Sequence, residues 1–364
     1  MAAHAIEKLV LWSVGFPVAA GALLALKFAG LITIADWPGF VLAALLLGGA
    51  VFSAVHHAEV IALKVGEPFG SILLAIAVTV IEVALIVSIL LTNMADSAEV
   101  ARDTVYATVM IVLNGVVGTS LIVGGWKHRE QVFRIDGAAA SLAVLGTLAT
   151  FALVLPNFTL ANPAPIYSPL QLCVVGGASL ALYSVFVFVQ TIRHREYFLE
   201  SGPVEEPPSI LPSDGITFAS AALLVLALTS VVLLAKLLSK PLEEAILSAG
   251  LPGAFLGVVI AAVVLLPEGI AALRAAAANR LQSSINLALG SAVASIGLTI
   301  PAVATASLLL GVPLVLGISG ENTVLLVLTL FASTLTLGTG RTTVLQGTVH
   351  LVIFAVFLLL SAIP

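Results

Sequence analysis

Two glutamates stand deep inside long apolar stretches. Glu82 lies in FGSILLAIAVTVIEVALIVSILL and Glu268 in GAFLGVVIAAVVLLPEGIAAL. On helices, each would be about half a bilayer from its nearest polar flank. An ionised carboxylate at that depth costs about 3 kcal/mol or more, so it is kept where it binds a cation or carries a proton. Thr79, one turn before Glu82, adds a hydroxyl, whereas its counterpart by position is Leu265. Behind each glutamate comes a stretch rich in small and polar residues. After Glu82, Asn114 and Gly118 are four apart on one face of YATVMIVLNGVVGTSLIVGGW, with Gly115 and Thr119 beside them. After Glu268, SSINLALGSAVASIGLTIPAV carries Ser291, Ser295 and Thr299 on one stripe and Asn286, Gly290 and Ala294 on the next. Small residues allow close helix approach, and hydroxyl or amide oxygens complete a cation's shell. Pro267 and Pro301 interrupt helical hydrogen bonding and free carbonyl oxygens. For each Ser or Thr taken singly, tight packing explains the pattern as well as ligation does.

The elements that hold these residues are membrane helices. Of 364 residues, 60% are hydrophobic and only 9% charged, against about 25% charged in an ordinary domain. The mean hydropathy is +1.19. Runs of about 20 apolar residues recur along the chain, each long enough to cross a hydrocarbon core. The fold class is therefore an all-α polytopic membrane protein whose partner is the lipid bilayer, with no room for a soluble domain. Eleven spans are expected, near 9–34, 38–55, 69–91, 104–126, 137–157, 169–190, 215–238, 253–277, 283–310, 322–338 and 343–362. The first is read as a retained helix, not a signal peptide. The segment HHAEVIALKVGEP is read as an amphipathic connector, and the apolar gap GVPLVLGISGEN before span ten as a candidate re-entrant segment. The net charge of −5 is small and scattered, which excludes a nucleic-acid partner. The one cysteine, Cys173, is read as a buried small residue and excludes an intramolecular disulfide.

Basic residues set the orientation. With the N-terminus cytoplasmic, that side receives Lys8, Lys64, Lys127, Arg129, Arg134, Arg193, Arg195, Arg274, Arg280 and Arg341, and the outer side Lys27, Arg102, Lys236 and Lys240. In a bacterial cell the membrane would be the plasma (inner) membrane. Residues 199–214, LESGPVEEPPSILPSD, form a polar, acidic, proline-rich cytoplasmic linker. It separates spans two to six from spans seven to eleven. An odd number of spans per half inserts the second half upside down, as in transporters built from inverted repeats. The expected organisation is an extra N-terminal helix at 1–36, a first five-helix repeat at 37–198, the linker at 199–214, and a second five-helix repeat at 215–364. Glu82 and Glu268 then occupy matching spans.

The stretches GEPFGSILLAIAVTVIEVAL (66–85) and LPEGIAALRAAAANRLQSSINLALGSAVASIGLTIPAV (266–303) resemble the two α-repeats of the calcium/cation antiporter superfamily. The nearest likeness is to the bacterial ChaA-type calcium(sodium, potassium)/proton antiporters, over roughly residues 40–360. The repeats would occupy about 66–126 and 253–303. The resemblance implies that one glutamate of each repeat, Glu82 and Glu268, binds either the exchanged cation or protons. The family's GS motif matches Gly290-Ser291, and the same place in the first repeat reads Leu113-Asn114. Where other branches carry Asn or Gln one turn further on, this chain has Gly118 and Ala294. The implied binding set is Glu82, Glu268, Thr79, Asn114, Ser291 and Ser295, with Gly290, Gly118, His350, His57 and Glu67 as accessory candidates. No cofactor is implied, because the ions are cargo.

Charge arithmetic gives a mechanism. Two carboxylates neutralise one Ca²⁺ fully and one Na⁺ in part. Once the ion leaves, burial and mutual repulsion favour protonation, so each glutamate returns with a proton. The expected activity is Ca²⁺/H⁺ antiport by alternating access, with Na⁺/H⁺ or K⁺/H⁺ exchange as the alternative at the same site. His56, His57 and Glu59, with Glu67, are read as a polar interfacial turn, with a metal or proton sensor as the functional alternative. His350, within span eleven, either takes part in proton movement or hydrogen-bonds a neighbouring helix. Glu321 is a helix-start residue, Arg274 snorkels to the headgroups, and Glu243 and Glu244 fall in an outer loop. A cation channel would need a ring of charge or a repeated filter loop, neither of which is present. An intramembrane metalloprotease would need HExxH, and HHAE lacks that spacing. The chain is not read as an enzyme.

Overall fold

The computed structural model describes residues 9–32, 37–66, 69–91, 98–162, 165–200 and 211–364. Among them, eleven helices are long and apolar enough to cross a membrane. They are α1 (Leu11–Phe28), α2 (Trp37–Val65), α3 (Phe69–Leu90), α4 (Val100–His128), α5 (Ile135–Phe158), α6 (Pro169–Arg193), α7 (Asp214–Ser248), α8 (Phe255–Ala277), α9 (Leu281–Leu310), α10 (Gly320–Leu337) and α11 (Val344–Ala362). The chain is an all-α integral membrane protein, with one two-stranded ladder among the described residues, between β1 (Gln131–Val132) and β2 (Arg341–Thr342). It divides into two compact units, Met1–Asn93 with Val204–Ala245, and Met94–Pro203 with Ile246–Pro364.

In the first unit, α2 packs on both α1 and α3. The close approach of α1 and α2 runs through Gly49, where a Cβ would collide with the Phe16 ring. Pro17, inside α1, has no N–H, so the carbonyl of Ser13 four residues back loses its helical donor. Helix α2 repairs the loss, since Ser53 Oγ donates to Ser13 O at 2.5 Å and His57 Nε2 donates to the same oxygen at 2.9 Å. A carbonyl only accepts, so His57 carries its proton on Nε2. His56 sets its ring 5.2 Å from that of Trp12. These partners explain why HHAEVIALKV is not the separate connector expected above but the last turns of α2. The polar residues are used between helices, and no Gly or Pro interrupts the segment before Gly66. Lys64 closes the end of α2 on the start of α7 through Asp214 Oδ1, 2.7 Å away. Replacing Ser53 and His57 together by Ala leaves Ser13 O without either donor. The expected cost is about 1–3 kcal/mol, read as a lower midpoint of thermal unfolding in detergent. An unchanged midpoint would mean that the clasp carries no net stability.

The second unit holds α4, α5, α6, α8, α9, α10 and α11. Helix α8 lies along α4. A Cβ on Gly257 would stand 2.6 Å from the Asp103 carbonyl carbon, and one on Gly269 would stand 3.3 Å from Val116 Cγ2. The two helices thus run in the same direction, as alternating spans require. Their C-terminal ends are tied together, with Lys127 Nζ and His128 Nε2 donating to Ala277 O and Gln131 Nε2 donating to Ala276 O and Asn279 Oδ1. Lysine and histidine at helix carbonyl ends are electrostatically favourable. The β1–β2 ladder brings the α10–α11 turn to this same end. Here Arg134 donates to Glu196 O, Arg280 lies 3.9 Å from Glu200 and Arg341 lies 3.5 Å from Glu130. Arg102 caps the opposite end of α4, paired with Glu99 and Asp103.

Other expectations need correction. Residues 311–319, the candidate re-entrant segment, are not helical. They run without regular secondary structure over helix ends, with Val315 N donating to Ala98 O and Ile318 N to Leu153 O, while Leu314, Leu316 and Ile318 are buried. Apolar side chains here cover the unit's end, so the hydropathy is that of a packed strap. Helix α7 continues through Pro241 to Ser248, so Glu243 and Glu244 belong to a helix and not to a loop. Glu244 lies 4.0 Å from Lys240, one turn away. Cys173 is exposed on α6, not buried. A bilayer-facing surface accepts a small apolar thiol as readily as a core does. Glu321 does lie in the first turn of α10, two residues after the N-cap Ser319. The linker from 201 to 210 lies outside the described residues.

Candidate cation-binding sites

Glu82 is on α3 in the first unit, with 2% of its surface exposed. It shares a helical face with Thr79, Ile86 and Ile89, all buried. The Thr79 hydroxyl gives its proton to Ala75 O at 2.8 Å, so its oxygen remains an acceptor. Such a hydroxyl offers an oxygen beside a carboxylate without adding charge. Glu67 lies outside the described residues. His57 is engaged by the α1–α2 clasp, which makes it a structural donor and not part of a surface turn.

Glu268 is on α8 in the second unit, 8% exposed. It belongs to a buried stripe, Gly257, Ala261, Val264, Glu268, Ala272 and Ala276, spaced at three and four residues. The small residues of this stripe bring α4 close. Gly269, its neighbour, faces Val116. At that level α4 is not a regular helix, because residues Ile111–Val116 form a π turn. Such turns widen the backbone, redirect one side chain, and are frequent at functional sites. Beside this turn is a cavity of about 310 Å³, lined by Ile111, Gly115, Val116, Leu265, Gly269 and Phe354 among others.

Asn114 is the polar residue of the π turn and is 0% exposed. Its carboxamide is held from both ends. Nδ2 donates to Thr329 Oγ1 of α10 at 2.9 Å, and Oδ1 stands 3.0 Å from His350 Nδ1 of α11. Met110 Sδ lies 3.8 Å from Nδ2 and 3.5 Å from Thr329 Oγ1. His350, also 0% exposed, faces Thr336 Oγ1 with Nε2 at 3.2 Å. The hydrogen bonding to neighbouring helices expected for His350 is present, to Asn114 of α4 and Thr336 of α10. Gly118 is one of the points where α4 meets α11. A Cβ there would stand 2.9 Å from His350 Cβ and 3.2 Å from Gly347 O. On α9, which packs against α8, Ser295 and Thr299 are buried, whereas Ser291 and Gly290 are partly exposed. The space beside Gly290 is open. Asn286, on the adjacent stripe, donates to Phe198 O at 2.5 Å and accepts from Gln282.

The structure thus gathers Asn114, Gly118 and His350 into one cluster. Sequence reasoning missed its other members, Thr329, Thr336, Met110 and Gly347. The signal present was the stripe Thr329, Ser333 and Thr336 at spacings of four and three within an apolar helix.

The sodium/calcium exchanger protein family model matches residues 35–192 and 219–363. The chain belongs to this family of ion exchangers. Among its relatives, the putative ionic transporter y4hA of Sinorhizobium fredii is 59% identical over 88% of this chain and 87% of its own length. The sodium-potassium/proton antiporter ChaA of Escherichia coli is 36% identical, covering 85% of each. A Ca(2+)/H(+) antiporter of Aphanothece halophytica is 23% identical over 82% of this chain and 83% of that one. The exchanger's fold matches solved structures. Native YfkE gives a TM-score of 0.73 at 17% identity, covering 96% of this chain and 99% of that one. The H+/Ca2+ exchanger CAX gives 0.72 at 15% identity, covering 96% and 88%. The resemblance read from the two glutamate motifs is therefore correct at the level of family and fold.

Proposed function

We propose that this exchanger is a secondary antiporter that moves a cation against protons by alternating access, with Glu82 and Glu268 carrying both. The observation behind this reading is the burial of one carboxylate on α3 and another on α8, each in an apolar span. A buried carboxylate pair is neutral either with Ca²⁺ or with two protons, so exchange of one for the other avoids carrying net charge through the bilayer. Thr79, Ser291 and Ser295 add neutral oxygens in this reading, and Asn114 shapes the turn next to α8. The reading includes two inverted five-helix repeats, 37–198 and 215–364, supported by the family model's two matched stretches on either side of the linker. It also includes a cytoplasmic N-terminus, supported by the excess of Lys and Arg in the loops that this orientation places inside, and, in a bacterial cell, a plasma-membrane location.

Ca²⁺ is the proposed cargo on charge grounds. A second reading, Na⁺ or K⁺ against protons, is favoured by the name of the 36% identical relative. Proteoliposomes with a proton gradient, supplied in turn with radiolabelled Ca²⁺, Na⁺ and K⁺, decide between them. Ca²⁺ uptake that is unchanged when the membrane potential is clamped at different values is expected for an electroneutral cycle. Rates that rise steeply with voltage at fixed pH would contradict that stoichiometry. Uptake of Na⁺ or K⁺ with no Ca²⁺ uptake would replace the first reading by the second.

A further inference from the structure

The buried cluster on α4, α10 and α11 has an internal direction. Thr329 Oγ1 and Met110 Sδ surround Nδ2 of Asn114, and sulfur only accepts, which fixes the amide with Oδ1 toward His350. His350 must then donate from Nδ1, and its Nε2 accepts from the Thr336 hydroxyl. The bonds run head to tail from Thr336 through His350 and Asn114 to Thr329, and on to Met110. Aligned chains of this kind strengthen one another in a low-dielectric interior. The neutral ring satisfies every bond, so no step of the chain requires His350 to gain a proton. The imidazole fixes the carboxamide, and the carboxamide belongs to the π turn that stands beside Gly269, the residue after Glu268.

We propose that His350 is a positioning residue for the exchange, holding the Asn114 carboxamide and with it the π turn beside α8. This rests on the reading of Glu268 as a cation-binding residue. Helices α10 and α11, which carry neither glutamate, thereby fix α4 beside Gly269, the residue after Glu268. His350 is not a proton carrier.

The test uses the full chain in proteoliposomes, comparing His350→Asn, His350→Gln and His350→Ala, with Glu268→Gln alongside. The side-chain nitrogen of Asn occupies the place of Nδ1, and that of Gln the place of Nε2. We expect His350→Asn to stay within about twofold of wild type in rate and KM, with an unshifted pH profile. We expect His350→Gln and His350→Ala to raise the KM for the cation about tenfold, a loss of about 1.4 kcal/mol, with the maximal rate changed less. His350→Ala added to Asn114→Ala should cost little beyond Asn114→Ala alone, because both act through one carboxamide. If His350→Asn fails as badly as His350→Ala, or shifts the pH profile, the ring itself carries the proton and the proposal falls. It also falls if all three variants behave as wild type, or if the double variant is additive. Should His350→Ala not fold, the contrast between Asn and Gln still decides. If Glu268→Gln remains active, the reading of the site fails, while the contrast at His350 is judged separately by its KM.

Discussion

Glu268→Gln is expected to reduce proton-driven cation uptake at least 100-fold while leaving the purified protein folded. Glutamine keeps the shape and volume of the side chain on the buried stripe of α8, so the packing of that stripe is retained. On the proposed reading, what it loses is the charge that would hold a cation and the acidic oxygen that would take up a proton. Removing one partner of a buried ion pair costs about 3–5 kcal/mol, which corresponds to roughly 100-fold or more in affinity. Glu82→Gln should behave alike, because Glu82 is as deeply buried on α3. Elution profile and thermal midpoint in detergent check the fold, and initial uptake rates in proteoliposomes check the function. A variant that folds and transports at near the wild-type rate would remove that glutamate from the mechanism.

Gly347→Leu is expected to have the largest effect on the fold itself. A Cβ at Gly347 would stand 2.7 Å from Gly118 O and 2.9 Å from Ile122 N, both backbone atoms of α4. Neither can rotate aside, so the helices must separate. Separation would pull His350 from Asn114, since both lie at this crossing. Overpacking of a well-filled interior costs about 1–3 kcal/mol, occasionally more, and the loss of a buried polar network adds to it. Yield of monodisperse protein should collapse, and the midpoint of any folded fraction should drop. Gly347→Ala should show a smaller version of the same defect. A stable Gly347→Leu protein would mean that α4 and α11 do not approach so closely.

The parts of this account legible in the sequence are those set by solvation. Glu82 and Glu268 stood out because a carboxylate in an apolar span has a large transfer cost whatever surrounds it. The eleven spans followed from length and hydropathy for the same reason, and sequence resemblance supplied the family. Contacts that depend on how one helix meets another were not legible. Nothing in FPVAAG announces that Pro17 frees a carbonyl that His57 and Ser53 then occupy, because that depends on the register of α1 against α2. His56 and His57 looked like an interfacial turn since polarity alone was visible, whereas the structure uses both against α1. Asn114 and His350 were each noticed singly, but only the packing of α11 on α4 joins them. The π turn at Ile111–Val116 leaves no trace in residue type. The packing of 311–319 over other helix ends is not visible in its hydropathy, which resembles that of a membrane segment.

The claim at the centre is that the same two carboxylates hold either the cation or protons. It is tested most directly by adding Ca²⁺ to the purified protein in weakly buffered detergent solution and measuring the protons released, in wild type, Glu82→Gln and Glu268→Gln, with Na⁺ and K⁺ in parallel. Saturable release approaching two protons per Ca²⁺ bound is expected where the free carboxylates are protonated, with no release in either variant. Cation binding without proton release at any pH, or release that persists unchanged in both glutamine variants, would contradict it.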